Sequence, residues 1–220
     1  KDIGALLNQK QRLLLDVSHE LRSPLARMRL LVEMLPEHKN RAGLIDEIIF
    51  LEGMISNLLF SDQLSQPYSN MEYAYVKTSH VLTKVIDLIN VNLKLIKIND
   101  VDEHLKINAD ETKLIIALRN LIDNALKYGD NSKQVLINCY KNKKWVCFEI
   151  INFGNTICVE DKNEIFEPFF RSKKNKSGLG GFGLGLTISK KIVEAHGGNL
   201  NFISDGNMTK FTIEIPINIS

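Results

Sequence analysis

Between positions 7 and 35 the apolar residues keep a seven-residue beat. Leu7, Leu14, Leu21, Met28 and Leu35 share one position, and Val17 and Leu31 the other. That spacing gives a helix with one apolar seam, as in a bundle or coiled coil. With Leu14 at position a, His19 falls at f, farthest from the seam, and its imidazole is expected to face water. Glu20 is its neighbour, and Ser23 follows one turn on, at i+4. Pro24 lacks an N–H, and its ring crowds the carbonyl of Glu20, so the helix is expected to loosen just beyond the histidine. The first helix is read over Asp2 to about Pro36. A polar turn, Pro36 to Gly43, precedes a second helix to about Gln66, with Leu44, Ile48, Leu51, Ile55 and Leu58 as its stripe. A short turn makes the two antiparallel neighbours. One hairpin cannot cover both stripes. Two hairpins from two chains can, so a homodimer through residues 1–66 is expected, as a four-helix bundle.

The 220 residues suit one or two domains. A hydrophobic share of 44% and a charged share of 25% are ordinary for a globular chain. A net charge of +2 argues against nucleic acid or acidic lipid as the main partner. No apolar run approaches the ~20 residues of a membrane helix. The chain opens on Lys1 rather than Met, which suggests a piece of a longer protein. Cys139, Cys147 and Cys158 lack metal or redox spacing and are expected as buried or half-buried strand residues in a reducing cytosol.

Gln66 to Asn70 reads as a linker. Beyond it, Met71–Lys77 alternates as a strand and Val81–Val91 has helical spacing. Leu93–Ile98 and His104–Asn108 read as short strands. Asp110 is placed to cap a helix running to about Tyr128, ended by Gly129 and Asp130. Val135–Tyr140 and Trp145–Asn152 form strands about a polar turn. An irregular stretch leads to a helix from about Gly183 to His196, closed by Gly197-Gly198, and Leu200–Ser204 and Met208–Ile215 form a final hairpin. The predicted class is an all-α hairpin followed by an α+β two-layer sandwich over residues 71–220.

Four clusters in this second part carry chemistry. Asn120, Asn124 and Lys127 lie at i, i+4 and i+7, a polar stripe on a half-apolar helix. Carboxamide oxygens can ligate Mg²⁺, and an ammonium can meet phosphate. Asn152-Phe-Gly154 is a strand end breaking into a glycine turn. Ile165-Phe-Glu-Pro-Phe-Phe-Arg171 is apolar within a polar loop. Gly178-Leu-Gly-Gly-Phe-Gly-Leu-Gly185 leads into a helix start, where backbone N–H groups can cradle phosphates.

Ser18-His-Glu-Leu-Arg-Ser-Pro24 resembles the phospho-acceptor box of bacterial sensor histidine kinases. The four clusters resemble, in order, the N, G1, F and G2 boxes of their ATP-binding domain, the GHKL fold shared with Hsp90 and gyrase-type ATPases. The resemblance implies a protein-histidine kinase using ATP and Mg²⁺. It implies that Asn124, with Asn120, holds the metal, that Lys127 contacts phosphate and that Tyr128 lines the nucleotide pocket. Asn152 takes the adenine-reading position, and Gly154 with Ile157 belongs to the same turn. Phe166, Phe169, Phe170 and Arg171 border a lid, and Gly181, Phe182, Gly183, Leu184, Gly185 and Leu186 wrap the triphosphate. His19 would attack the γ-phosphoryl group while Glu20 takes its Nδ1 proton. Ser23 stands where a residue positions water for dephosphorylation of the partner. A response regulator would be that partner, and a missing membrane-spanning sensor would place this part in the cytoplasm, on an inner-membrane protein.

Two positions depart from the family pattern. Asn152 replaces the usual Asp and Thr156 a second glycine, so weaker nucleotide binding is expected. Gly178-x-Gly180-x-x-Gly183 also fits a dinucleotide fingerprint, but a basic loop precedes it where a strand is required. A hydrolysing ATPase of the same fold would carry Glu at position 120, and a degenerate dimeric scaffold would transfer nothing. His38, His80 and His104 read as surface or packing residues. His196 reads as a structural residue at a helix C-terminus, where a cation suits the dipole.

Overall fold

The computed structural model describes residues 2–36, 40–64, 71–89, 93–154, 156–172 and 183–217. Side chains are described from residue 16 onward, apart from those of 19, 61, 63, 64 and 93. The chain divides into two compact units, Lys1–Gln66 and Pro67–Ser220.

The first unit is a helical hairpin of α1 (Asp2–Glu33) and α2 (Arg41–Leu64). The second helix begins at Arg41, ahead of the predicted turn's end, and takes in Gly43. Helix α1 runs without interruption through Pro24, so the expected loosening is no break. Arg41 closes the hairpin by donating from Nη2 to the carbonyl of Glu33 at 2.8 Å. Arg29 holds Glu33 at 3.0 Å. Among the described residues of the hairpin, Ser18, Leu25, Ile48 and Leu59 are buried. Ser18 and Leu25 lie one step round from the predicted seam. The seam itself is left open: Val17, Leu21, Met28 and Leu31 are 44%, 45%, 51% and 65% exposed. On α2, Leu44 and Leu51 are exposed too.

The second unit holds β1 (Ala74–Lys77), α3 (Thr78–Leu88), β2 (Ile96–Val101), β3 (Lys106–Ala109), α4 (Glu111–Tyr128), β4 (Val135–Asn142), β5 (Trp145–Phe153), α5 (Gly185–Ala195), β6 (Asn199–Asp205) and β7 (Met208–Pro216). Strand β1 starts three residues later than read from sequence, and β2 starts only after a 3-10 turn at Leu93–Leu95. The sheet order is β2-β4-β5-β7-β6, with β1-β3 a separate antiparallel pair. Strand β2 runs parallel to β4, and the other neighbours are antiparallel.

Alternation along the strands builds the core. Val146, Phe148, Ile150 and Asn152 share one face of β5, and Phe211, Ile213 and Ile215 continue it on β7; all are buried. Leu114, Leu118, Leu121 and Ile122 of α4 and Ile188, Ile192 and Val193 of α5 are also buried, completing two layers. Truncating one of these leucines to alanine costs roughly 2–5 kcal/mol. Cys139 and Cys147 are buried in strands as expected, and burial pushes the Cys139 thiol up to about 12.

The opposite face of the sheet carries a polar ladder. Glu149 accepts from Asn138 Nδ2 at 3.0 Å, Tyr140 Oη at 3.2 Å and Lys210 Nζ at 2.8 Å. Asn138 in turn accepts from Asn99 Nδ2 at 3.2 Å. Asn99 sits where the β2–β4 register shifts, so the ladder fastens the parallel edge strand at its bulge. Burial would raise the Glu149 carboxyl, but the Lys210 and Asn138 contacts outweigh it and hold it below its ordinary value.

Helices α4 and α5 lie antiparallel and are tied at three levels. Asn120 Nδ2 donates to the Gly185 carbonyl at 3.3 Å, Ser189 Oγ to the Ala117 carbonyl at 3.1 Å, and the Asp110 N–H to His196 Nε2 at 3.0 Å. Asp110 caps α4 through Lys113 N–H, as its position predicts. Glu72 N–H also donates to its carboxylate, and Tyr73 Oη donates to the Ala195 carbonyl at 2.8 Å. Residues 71–73 thereby clasp the end of the helix pair. The Gly197-Gly198 closure of α5 is present: Gly197, at φ +70°, donates to Glu194, and Gly198 to Val193.

Candidate functional site

The acceptor box lies within α1. His19 belongs to the helix, and its side chain is outside the described residues. Glu20 and Ser23 are exposed. Ser23 Oγ accepts from Arg27 Nη1 at 2.7 Å, which leaves its own O–H free to point elsewhere.

In the second unit, α4 presents Asn120, Asn124 and Lys127 on one face, all half-buried. Commitment of Asn120 Nδ2 to Gly185 leaves Asn120 Oδ1 as an oxygen donor, the type Mg²⁺ prefers. Asn124 adds a second carboxamide one turn on. Lys127 Nζ lies 5.0 Å from the centroid of the Tyr128 ring. Among the described residues, no three His, Cys, Asp or Glu side chains gather as a metal site. Any Mg²⁺ here would therefore rest on the amides and on phosphate oxygens.

A small, water-sized cavity lies beside the end of α4. Its walls include Ala125, Leu126, Gly129, Asp130, Asn152 and Phe153. Two backbone strands of contact close it: Gly129 bridges Gly154, and the Asp130 N–H donates to the Phe153 carbonyl. Gly154 holds φ +141°, and a Cβ there would stand 3.0 Å from the Asp130 nitrogen, so only glycine lets the turns meet. Asn152 is 4% exposed, and its amide has no hydrogen-bond partner among the described residues. An amide with no partner within the protein can hydrogen-bond a ligand.

The sequence reading missed two hydroxyls beside it. Thr209 pairs with Asn152 in the β5–β7 ladder, and its Oγ1 is 2.8 Å from Ser204 Oγ. Ser204 Oγ accepts from the Ile157 N–H at 2.8 Å, pinning the glycine turn to β6. Both are polar residues at inward positions of alternating strands, and that misfit of pattern was the available signal.

The aromatic and glycine clusters meet. The Phe169 N–H donates to the Gly183 carbonyl at 3.0 Å, and Thr187 Oγ1 to the Phe166 carbonyl at 2.8 Å. Phe169 and Gly183 both have left-handed backbones, at φ 65° and 68°. A Cβ on Gly183 would fall 2.6 Å from the Phe170 carbonyl oxygen. Phe166 packs edge-on against Phe202 at 5.9 Å, whereas Phe169 is 47% exposed. Leu184 is buried in the core, so only its backbone is open to a ligand, while Gly185 and Leu186 are half-buried. Arg171 is exposed. Gly181 and Phe182 lie outside the described residues, as do 173–180.

His196 is structural, as read from the sequence, but it is fully buried and is not the cation that would suit the helix dipole. Nδ1–H donates to the Ile192 carbonyl at 2.8 Å, and Nε2 accepts from Asp110, which requires the neutral ring. Burial holds its pKa below the ordinary 6.5. Tyr73 meets the ring edge-on at 5.8 Å. His80 lies 3.6 Å from Glu111, and His38 is outside the described residues.

Comparison with known proteins places these arrangements. The family described as "Histidine kinase-, DNA gyrase B-, and HSP90-like ATPase" matches residues 109–219, and "His Kinase A (phospho-acceptor) domain" matches residues 9–65. The chain belongs to the sensor histidine kinases. It is 31% identical to the adaptive-response sensory kinase SasA of Prochlorococcus marinus, covering 96% of this chain and 59% of that protein. It is 30% identical to the sensor histidine kinase GlrK of Escherichia coli, covering 96% of this chain and 47% of GlrK. Among solved structures, full-length ShkA in complex with AMPPNP superposes with a TM-score of 0.78 at 25% identity, over 95% of this chain and 46% of ShkA. This histidine kinase chain thus spans about half the length of the relatives it matches. Among its described residues, no helix is long and apolar enough to cross a membrane.

Proposed function

We propose that this chain is the catalytic core of a two-component sensor kinase, in which ATP phosphorylates His19 and a response-regulator aspartate then receives the group. Residues 1–66 serve as dimerisation and phosphotransfer hairpin, and 71–220 as the ATP-binding domain. The observation that carries the reading is an acceptor-type helix joined in one chain to an ATPase-type domain whose α4 offers amides and no carboxylate at position 120. An amide cannot take a proton from water, so hydrolysis lacks a base there, and a histidine acceptor is favoured.

In this reading Nε2 of His19 attacks the γ-phosphorus as the bond to the β–γ bridging oxygen breaks and ADP leaves. Glu20 accepts the Nδ1 proton. Asn120 and Asn124 hold Mg²⁺, which neutralises phosphate charge when bound. Lys127 meets phosphate, Tyr128 and Phe169 border the nucleotide, and Arg171 flanks it. The backbone of 181–186 receives the phosphates near the start of α5. Asn152, Gly154 and Ile157 form the base end. Ser23, with its oxygen held by Arg27, directs its O–H at water during dephosphorylation of the regulator. The exposed seam of α1 supports a homodimer. A sensor and membrane-spanning part would belong to the longer protein, with this region cytoplasmic.

Incubation with γ-labelled ATP tests the reading. Acid-labile, alkali-stable label on the chain, absent in His19→Gln, is expected. Free phosphate without labelled protein would point to an ATPase, and neither product to a scaffold; either result would overturn the proposal.

A further inference from the structure

The nucleotide-binding reading above, on which this inference rests, leaves open which base the site accepts. Three observations bear on it. Asn152 is 4% exposed, shares the helix-facing side of β5, and lies with its Cβ 3.5 Å from where a Gly129 Cβ would stand. Among the described residues nothing hydrogen-bonds its amide, so no protein group fixes whether Oδ1 or Nδ2 turns toward the site. Two charged groups of the small cavity that Asn152 helps to line are otherwise engaged. Asp130 Oδ1 accepts from Ser132 N–H at 2.9 Å and Ser132 Oγ–H at 2.7 Å, and Lys133 Nζ lies 5.5 Å from the Phe153 ring centroid.

Purine chemistry then decides. The reading edge of adenine carries a donor, the 6-amino group, beside an acceptor, N1. Guanine carries the reverse, an acceptor at O6 beside a donor at N1. A carboxylate only accepts, so in the pose that sets it against position 6 of the purine it suits the amino group of adenine and opposes O6 of guanine. A carboxamide offers an acceptor and a donor side by side and exchanges them by half a turn about its last torsion. With Oδ1 toward the amino group, Nδ2–H meets adenine N1. Flipped, Nδ2–H meets O6, and Oδ1 takes the N1 proton of guanine. Thr209, the ladder partner of Asn152, carries a hydroxyl that both donates and accepts, so it adds no preference.

We propose that Asn152 makes the base end of the nucleotide site purine-tolerant, so that it binds guanosine as well as adenosine triphosphates. Calorimetric titration of the 220-residue chain with ATP and with GTP tests this. Affinities within about tenfold of each other are expected. Asn152→Asp should widen the ATP-to-GTP ratio by about tenfold or more through loss of GTP, because an unmatched polar pair is rejected strongly. Asn152→Ser, which removes both groups, should weaken ATP and GTP alike and covers the case in which the acidic variant does not fold. A wild-type ratio above about a hundredfold, or an Asn152→Asp ratio equal to wild type, would overturn the inference. ATP binding with GTP excluded leaves the kinase reading standing and removes this one alone. Binding of neither nucleotide removes both.

Discussion

The backbone N–H of Asp110 donates to Nε2 of His196 across 3.0 Å, joining the start of α4 to the end of α5 through a neutral imidazole. Protonation would place a second hydrogen in that contact. Burial already disfavours the charged ring, and its pKa lies below 6.5. The unfolded chain therefore binds the proton more readily than the folded one as pH falls through about 6.5, so stability is complete above that value and declines below it. Urea midpoints followed by the fluorescence of Trp145, the single tryptophan, should fall between about pH 7 and 5. His196→Gln, which keeps an acceptor without a proton to gain, should flatten that slope. An equal slope in the variant would assign the effect to other histidines.

Glu149 is the hub of the ladder on the outer face of the sheet. Glu149→Ala would strand Lys210, Asn138 and Tyr140 together; the pair is partly buried, with the Lys210 side chain 26% exposed, so the cost is about 1–3 kcal/mol. Since Asn138 also holds Asn99, the parallel strand β2 should loosen first. Hydrogen exchange should show lost protection along Ile96–Val101 ahead of the β5–β7 ladder.

Gly183→Ala should impair nucleotide binding more than folding. The added methyl group meets the Phe170 carbonyl oxygen at 2.6 Å, on a backbone at φ +68°. A left-handed non-glycine residue costs about 1–2 kcal/mol. The strain falls on the contact between the Phe166–Phe170 segment and the start of α5, so ATP affinity should drop several-fold while the thermal midpoint moves by a few degrees.

The open seam of α1 makes a separate prediction. Leu21 and Leu31 are 45% and 65% exposed within a single hairpin. The chain should be a dimer by light scattering, and Leu21→Glu with Leu31→Glu should yield monomers that keep the second unit folded. A monomeric wild type would remove the bundle.

Much of this was legible in the residues. The seven-residue beat marked the hairpin, and Asp110, Gly129 and Gly197 marked helix ends because caps are local chemistry. The glycine and amide clusters were visible for the same reason. What escaped were contacts between distant segments. Nothing near Glu149 in sequence announces Lys210, and nothing near Tyr73 announces Ala195. The burial and neutral state of His196 escaped because its helix end is covered by residues far away in the chain. Asn99 looked like an ordinary strand residue, since a bulge is set by register with a partner strand.

The clasp at residues 71–73 has a practical consequence. Glu72 and Tyr73 precede the first strand of the second unit, yet each fastens a helix: one at the cap of α4, the other at the last turn of α5. A recombinant fragment cut to begin at Ala74 would look complete on a topology diagram and still arrive with both helices unbuckled at the Asp110–His196 end.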